Sequence, residues 1–238
     1  MYRYFVKRFL DVSLALILLM LLWPVLLIIS IAVKIDSNGP VIFSQIRSGK
    51  NNKEFMLYKF RSMSACNDFY DKSKEDQVTR VGTFLRKTSL DELPQIFNIL
   101  KGEMSFIGPR PWITDYSKYF TDYQMKRLDV LPGITGLAQC SGRNNLSILD
   151  RIDIDVKYVG NVSFLMDVKI IFKTIKGVLQ GEGFSNSKSA IHDELRTLKE
   201  QYAISKKGYN RKVKNQLKKK KVSSKNDVKK EVLVGSGV

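Results

Sequence analysis

Residues 12–33, VSLALILLMLLWPVLLIISIAV, form an uncharged apolar run, close to the roughly 20 residues that span a bilayer's hydrocarbon core. The run is longer than the apolar region of a signal peptide, and no small-residue cleavage site follows it. Arg3, Lys7 and Arg8 precede it, while Lys34, Arg47, Lys50 and Lys53 follow. A crossing helix usually carries its positive flank on one side. Pro24 removes a backbone donor near the middle, so a kink is expected there. Two readings fit: a helix that enters and returns to the cytoplasmic face, or a crossing helix with a tolerated proline. Further on, VIFSQI and EFMLYKF are β-prone runs around the polar turn RSGKNNK, predicting a hairpin with Lys59 and Arg61 at its end. The stretch SACNDFYDKSKEDQVTR reads as a loop or short helix. Leu93, Ile96, Phe97 and Leu100 fall on one face of a helix ended by Gly102. A second helix is expected within 113–128, and LPGITGLAQCSGRNN reads as a structured loop. In 163–180, Ser163 caps a helix lining up Phe164, Val168, Ile171, Phe172, Ile175 and Leu179 among Lys169, Lys173 and Lys176. Such a helix can lie in a membrane interface, its lysines near lipid phosphates, or pack on a core with a solvated basic side.

The periodicity fades beyond about residue 184, where RKVKNQLKKKKVSSKNDVKK is rich in lysine and poor in aromatics. Such a composition buries too little apolar surface to fold, so residues 184–238 are expected to form a basic tail, disordered or loosely helical. With 238 residues, the chain suits one domain plus that tail. The divisions expected are 1–36 for the membrane helix, 37–183 for a cytoplasmic catalytic domain, and 184–238 for the tail. A formal net charge of +17 implies an anionic partner. Much of that charge lies in the tail, without the stacking aromatics of single-strand binders, which weighs against nucleic acid. Two cysteines, Cys66 and Cys140, indicate no disulfide framework. The single histidine, His192, disfavours zinc-site and Ser-His-Asp chemistry.

In this basic chain, RKTSLDELPQIFNILKGEMSFIGPRPW sets Asp91 and Glu92 side by side between Arg86 and Arg110. Helix capping is one explanation, since Ser89-x-x-Glu92 fits a capping box. Pro94 fits poorly inside such a helix, and a start near Asp91 would place it in the first turn. Phosphoryl chemistry is the other explanation. Two carboxylates suit Mg²⁺ shared with phosphate oxygens, or one could attack phosphorus. Arginines nearby would neutralise phosphate, and Pro109 and Pro111 stiffen the backbone on either side of Arg110.

The motifs KRFLDV with its Pro-interrupted apolar run, GPVIFSQIRSG, YKFRSM, RKTSLDELPQIFNILKGEMSFIGPRP, LPGITGLAQ and DVKYVGNVSFLMDVKIIFKTI occur in order between about Lys7 and Gly183. In these the chain resembles the bacterial sugar transferase family, the small monotopic phosphoglycosyl transferases. The resemblance implies a mostly helical α+β fold: a monotopic membrane protein with a re-entrant N-terminal helix, a short β-hairpin and interfacial amphipathic helices. It implies transfer of a sugar-1-phosphate from a UDP-sugar to undecaprenyl phosphate, releasing UMP, in bacterial surface glycan or glycoprotein synthesis. By the same resemblance, Asp91 is the nucleophile forming a covalent phosphosugar, and Glu92 helps hold Mg²⁺ and assists proton transfer. Arg86 and Arg110 match arginines expected at the phosphates, Lys59 and Arg61 a supporting basic motif, and Asp155 and Asp167 acidic positions near the site. Within the PGITG loop, Pro132, Gly133, Thr135 and Gly136 are candidates for nucleotide or phosphate contact. The implied partners are the two substrates, membrane lipids and downstream glycosyltransferases, and no nucleic acid. The implied location is the cytoplasmic face of the bacterial inner membrane. Small members often carry serine before the central proline, where this chain has Trp23. Competing readings are a membrane-anchored glycosyltransferase releasing UDP, and a basic membrane-anchored scaffold or nucleic-acid-binding protein.

Overall fold

The computed structural model describes residues 2–64, 78–142, 146–179 and 193–207. A helical turn over Tyr2–Val6 leads into the long helix α1, Lys7–Asp36. Among the described residues, α1 is the one helix long and apolar enough to cross a bilayer. Its helical geometry continues through Pro24, inside a single element. At 1.5 Å per residue it is about 45 Å long.

One stripe of α1 meets the rest of the protein from end to end. Near its start, Arg8 donates to the carbonyls of Ile99 (2.6 Å) and Leu100 (3.2 Å), which lie in the last turn of α3, Gln95–Lys101. A cation there satisfies carbonyls that the helix itself leaves open. Asp11 is buried and accepts from the Phe106 amide at 3.2 Å. Ala15 packs with Phe55, Leu57, Ile96, Ile99 and Met104, and further along Ile29 and Val33 pack with Phe60 and Leu85. At the far end, Asp36 accepts from the Val81 amide at 2.9 Å, in the first turn of α2, Arg80–Thr88. The opposite stripe, including Leu14, Ile17, Leu21, Ile28, Ile31 and Ile35, is exposed and apolar.

The expected hairpin forms from β1, Ile42–Ser48, and β2, Glu54–Phe60, paired antiparallel from Ile42 with Phe60 to Ser48 with Glu54. Asn51 and Asn52 take φ of 55° and 59° in its turn, a left-handed conformation that asparagine tolerates. Asn98 of α3 seals the outer edge of β2. Its Oδ1 accepts from the Tyr58 amide and its Nδ2 donates to the Met56 carbonyl. Gly102 ends α3 with φ 85°, as expected. Phe97, expected on the buried face, is 43% exposed instead, and Ile96, Asn98 and Ile99 carry the contact.

β3, Ser105–Ile107, and β4, Gly133–Thr135, pair in parallel. The loop expected at LPGITG therefore contains a strand, too short for a period to be read. Within 113–128 there are two short helices, α4, Thr114–Ser117, and α5, Asp122–Met125, the second opened by a capping box between Thr121 and Gln124. α6, Ile148–Gly160, and α7, Phe164–Leu179, follow. The expected α7 turns Phe164, Leu165, Phe172 and Ile175 outward, burying Asp167 and Ile170. The fold is α+β and mostly helical.

Residues 193–207 form a further helix, α8, docked on the body, where the expectation from 184 was a disordered or loosely helical tail. Leu198, fully buried, joins Trp112, Ile113, Tyr116, Phe120, Ile148 and Ile152, while Leu195 packs alongside. A few well-spaced apolar residues between charges are enough, because the partner surface is already built. The SACND segment falls mainly on residues 65–77, outside the described residues, as do Cys66, His192 and the lysine run. Cys140 donates from Sγ to the Leu137 carbonyl at 3.4 Å. Leu198→Ala should destabilise the protein by about 2–5 kcal/mol, the range for truncating a buried leucine. A melting midpoint in detergent equal to that of the unsubstituted chain would show that α8 does not dock.

Candidate active site

Asp91 and Glu92 occupy a separate 3₁₀ turn, Leu90–Glu92, between α2 and α3. Neither capping arrangement forms. Ser89 is the left-handed residue ending α2, with φ 59° and no side-chain cap bond, and Pro94 immediately precedes α3. Both carboxylates are thus free of backbone capping and face cations from other elements.

Lys59, near the end of β2, reaches both acids. Its Nζ lies 2.6 Å from Glu92 Oε1 and 3.7 Å from Asp91 Oδ2. Arg110, from the loop after β3, donates to the same Glu92 oxygen at 2.9 Å. Arg110 stays nearly half exposed, at 46% of its side chain, so it remains open to a further anion. Burial works to raise the Glu92 pKa, yet Lys59 and Arg110 outweigh it and hold it down to about 2. A carboxyl held so low carries no proton near neutrality, so it suits cation binding better than the expected proton transfer. Asp91 is shifted upward: burial dominates, Lys59 opposes it, and the adjacent Glu92 charge adds to it. A carboxylate in that condition is poorly solvated and more basic, and hence a better nucleophile.

Arg86 approaches from α2. Its Nε donates to Ser62 Oγ at 2.7 Å, and its charge acts favourably on Asp91. Its position depends on Gly82, where a Cβ would sit 2.1 Å from the Ser62 carbonyl oxygen. Only glycine lets α2 lie that close to the 61–64 segment.

The structure thus brings Lys59, Arg86, Asp91, Glu92 and Arg110 together. Arg61 faces elsewhere, donating to the Ser37 carbonyl and Oγ at the end of α1. Asp155 lies behind Arg110. It accepts from buried Arg127 at 2.7 Å, and Arg127 also donates to the Arg110 carbonyl at 2.9 Å. Asp167 meets Lys7 and Tyr2, each at 2.6 Å, and Tyr158 at 2.8 Å, anchoring the start of α1. The PGITG loop supports the Arg110 loop. The Gly133 amide donates to the Pro109 carbonyl, the Gly108 amide to the Thr135 carbonyl, and the Ser105 amide to the Pro132 carbonyl. A Cβ at Gly133 would lie 2.1 Å from Gly108 N, and one at Gly136 2.2 Å from Gly108 O. The Thr135 hydroxyl pairs with Thr174 of α7. Sequence reasoning missed Ser62 and Arg127. Serine and arginine in mixed polar surroundings give no periodic signal, and only the fold reveals what they hold.

The acids also bear on Mg²⁺. Among the described residues no group of three or more His, Cys, Asp or Glu side chains forms a metal cage. Mg²⁺ commonly binds through one or two carboxylates and completes its shell with water and substrate phosphate. Asp91 and Glu92, side by side with one Glu92 oxygen taken by cations, fit that shared mode.

Neutralising the two acids should move stability in opposite directions at pH 7. Glu92, with its lowered pKa, contributes stability present above about pH 4.5 and lost as pH falls toward 2, so Glu92→Gln should lower the midpoint. For Asp91, with its raised pKa, favourable folding is complete below the unfolded value and declines as pH rises through the folded one. Asp91→Asn should therefore raise the midpoint at pH 7, the gain vanishing below about pH 4. Melting curves across pH check both signs, and shifts in the same direction would refute the charge assignment.

Residues 2–181 match the family model described as bacterial sugar transferase. The chain is 42% identical over 183 residues to the uncharacterized sugar transferase EpsL of Bacillus subtilis (strain 168), covering 76% of this chain and 91% of EpsL. It is 42% identical over 183 residues to the UDP-glucose:undecaprenyl-phosphate glucose-1-phosphate transferase of Escherichia coli (strain K12), covering 71% of this chain and 39% of that protein. A third relative, from Aeromonas hydrophila, is named UDP-N-acetylgalactosamine-undecaprenyl-phosphate N-acetylgalactosaminephosphotransferase. It is 40% identical over 190 residues, 75% of this chain and 45% of that protein. The chain thus spans nearly all of EpsL but less than half of the two larger relatives. On the match of residues 2–181 and this identity to EpsL, the chain belongs to the bacterial sugar transferase family.

Proposed function

We propose that the protein is a phosphoglycosyl transferase that moves a sugar-1-phosphate from a UDP-sugar to undecaprenyl phosphate and releases UMP. The observation that carries this reading is the buried, poorly solvated Asp91 carboxylate beside Glu92, ringed by Lys59, Arg86 and Arg110. The names of the relatives support both substrates.

In the first step an Asp91 oxygen attacks the sugar-bearing phosphorus and the bond to UMP breaks, the electron pair leaving on UMP. In the second, a phosphate oxygen of undecaprenyl phosphate attacks the same phosphorus. The bond to Asp91 breaks, restoring the carboxylate. Repulsion between Asp91 and the pyrophosphate is the main obstacle, and Arg86, Arg110 and Lys59 offset it. Glu92 holds Lys59 and Arg110 in place before substrate arrives. Asp91 and Glu92 would hold Mg²⁺, which supplies further neutralisation of phosphate charge when bound.

The lipid substrate is confined to the bilayer, so the site must lie at its surface. Contacts along α1 from Arg8 to Asp36 tie both its ends to one body, which supports a helix held at one membrane face. A plain crossing helix would carry one end away from that body. Outward Phe164, Leu165, Phe172 and Ile175 on α7, beside Lys169, Lys173 and Lys176, support an interfacial position. The same reading puts the catalytic body on the cytoplasmic face of the inner membrane. Whether the sugar is glucose or N-acetylgalactosamine, as the relatives' names differ, is a matter for assay.

Incubated with membranes, undecaprenyl phosphate and a panel of UDP-sugars, the protein should release UMP and move labelled sugar into lipid. Release of UDP instead would establish the glycosyltransferase alternative. Asp91→Asn should abolish release, and surviving turnover would remove Asp91 as nucleophile. Chelation should stop the reaction and added Mg²⁺ restore it. For the topology, single cysteines placed by Tyr2→Cys and Lys50→Cys, with Cys66 and Cys140 replaced by serine, should label from the same face. Labelling from opposite faces would establish a crossing helix.

A further inference from the structure

The family match ends at residue 181, yet α8, at 193–207, is built into the body that carries Arg110. Glu194 of α8 accepts from the Tyr116 hydroxyl at 2.8 Å through Oε2 and from Arg151 through Oε1. The Arg151 guanidinium lies 5.7 Å from the Trp112 ring centre, and that of Arg127 at 3.9 Å. Trp112 sits two residues after Arg110, and its carbonyl accepts from the Ser48 amide at 2.9 Å. Arg127 in turn grips the Arg110 carbonyl. Around this polar line, Leu198 closes the cluster that holds Trp112, Tyr116 and Phe120. Gln124 donates to Gln201 at 2.7 Å, and Lys199 lies 5.3 Å over the Tyr119 ring. Each contact runs from α8 to the 112–128 segment or to α6, and Trp112 connects that segment to the active-site loop.

We propose that α8 is a positioning element of the active site, with Glu194 fixing Arg110 through Arg151, Trp112 and Arg127. It rests on the function given above, in which Arg110 bears on the phosphates. Without the Glu194 carboxylate, Arg151 loses its anion and Tyr116 its acceptor, and the Trp112 ring loses a fixed neighbour. The Arg127 guanidinium that grips the Arg110 carbonyl then stacks on a less firmly held Trp112 ring. A guanidinium displaced by a fraction of an ångström still binds phosphate charge but no longer meets the developing charge at the reacting phosphorus. Glu194 touches neither of the two acids, and its shortest connection to the site runs through Trp112 and Arg127 to Arg110.

The test is a double-mutant cycle in the full-length chain, reading UMP release from UDP-glucose or UDP-N-acetylgalactosamine. Glu194→Gln alone should lower kcat roughly tenfold with little change in KM. In an Arg110→Ala background, the same substitution should change kcat less than about twofold, because the route of its action is gone. An equal loss in both backgrounds would overturn the proposal and leave α8 a merely stabilising helix. Glu194→Asp should recover part of the rate. A second measurement is independent of turnover. Leu198→Asp should speed amide hydrogen exchange at residues 112–120 and spare the α1 amides, and unchanged exchange at 112–120 would also overturn it. If the unsubstituted chain releases no UMP from any UDP-sugar, that failure falls on the function, and the exchange comparison separately tests whether α8 holds the 112–120 segment.

Discussion

Two neighbouring carboxylates cannot be taken out of water unless cations stand against them in fixed places, and the rest of this fold serves that requirement. Lys59 comes from a β-hairpin, Arg86 from α2 and Arg110 from the loop after β3, each element held by contacts of its own. Asn98 pins the hairpin edge, Gly82 lets α2 approach, and glycines 108, 133 and 136 stack backbone on backbone beneath the Arg110 loop. The charges are divided unequally. Glu92 takes most of the compensation and stays ionised, whereas Asp91 retains the strain of a partly unsatisfied charge. That inequality gives two acids that are neighbours in sequence opposite electrostatic settings.

A second set of acids does structural work at a distance. Asp11, Asp36 and Asp167 secure α1 to β3, to α2 and to α7, and Asp155 braces Arg127 behind Arg110. Of these, Asp11, Asp155 and Asp167 are buried, which is costly unless paired, and each has its partner. The apolar helix is therefore a wall of the domain.

Elements with a strong period were legible in the sequence: α1, the hairpin, α3 and α7 appear where alternation or helical spacing marks them. β3 and β4 were not, because three residues carry no period and their pairing is set by glycine contacts between distant loops. α2 was hidden inside polar, charged sequence, and α8 inside sequence of mixed charge, since a helix that docks through Leu195 and Leu198 shows no broad apolar face. Of the site, the acid pair and its two arginines were visible as an anomaly of charge. The capping explanation failed because the chain makes a 3₁₀ turn there and starts its helix only after Pro94. Arg61 and Asp167 could not be separated from Lys59 and Asp91 by residue type, since an anchoring ion pair and a substrate contact use the same chemistry. Distance in the fold separates them.

The two-sided character of α1 has a practical meaning for handling the protein. Removing residues 1–36 to obtain a water-soluble fragment would strip away Ala15, Ile29 and Val33 from two hydrophobic clusters, and Asp36 from the start of α2. What remains would expose a trough of Phe55, Leu57, Phe60 and Leu85. Solubility is better sought by recolouring: polar residues at the outward positions Leu14, Ile17, Leu21, Ile28 and Ile31, with the inward stripe left as it is. The same logic makes α1 a poor cassette, because a membrane anchor borrowed from another protein would bring the bilayer but not the missing wall.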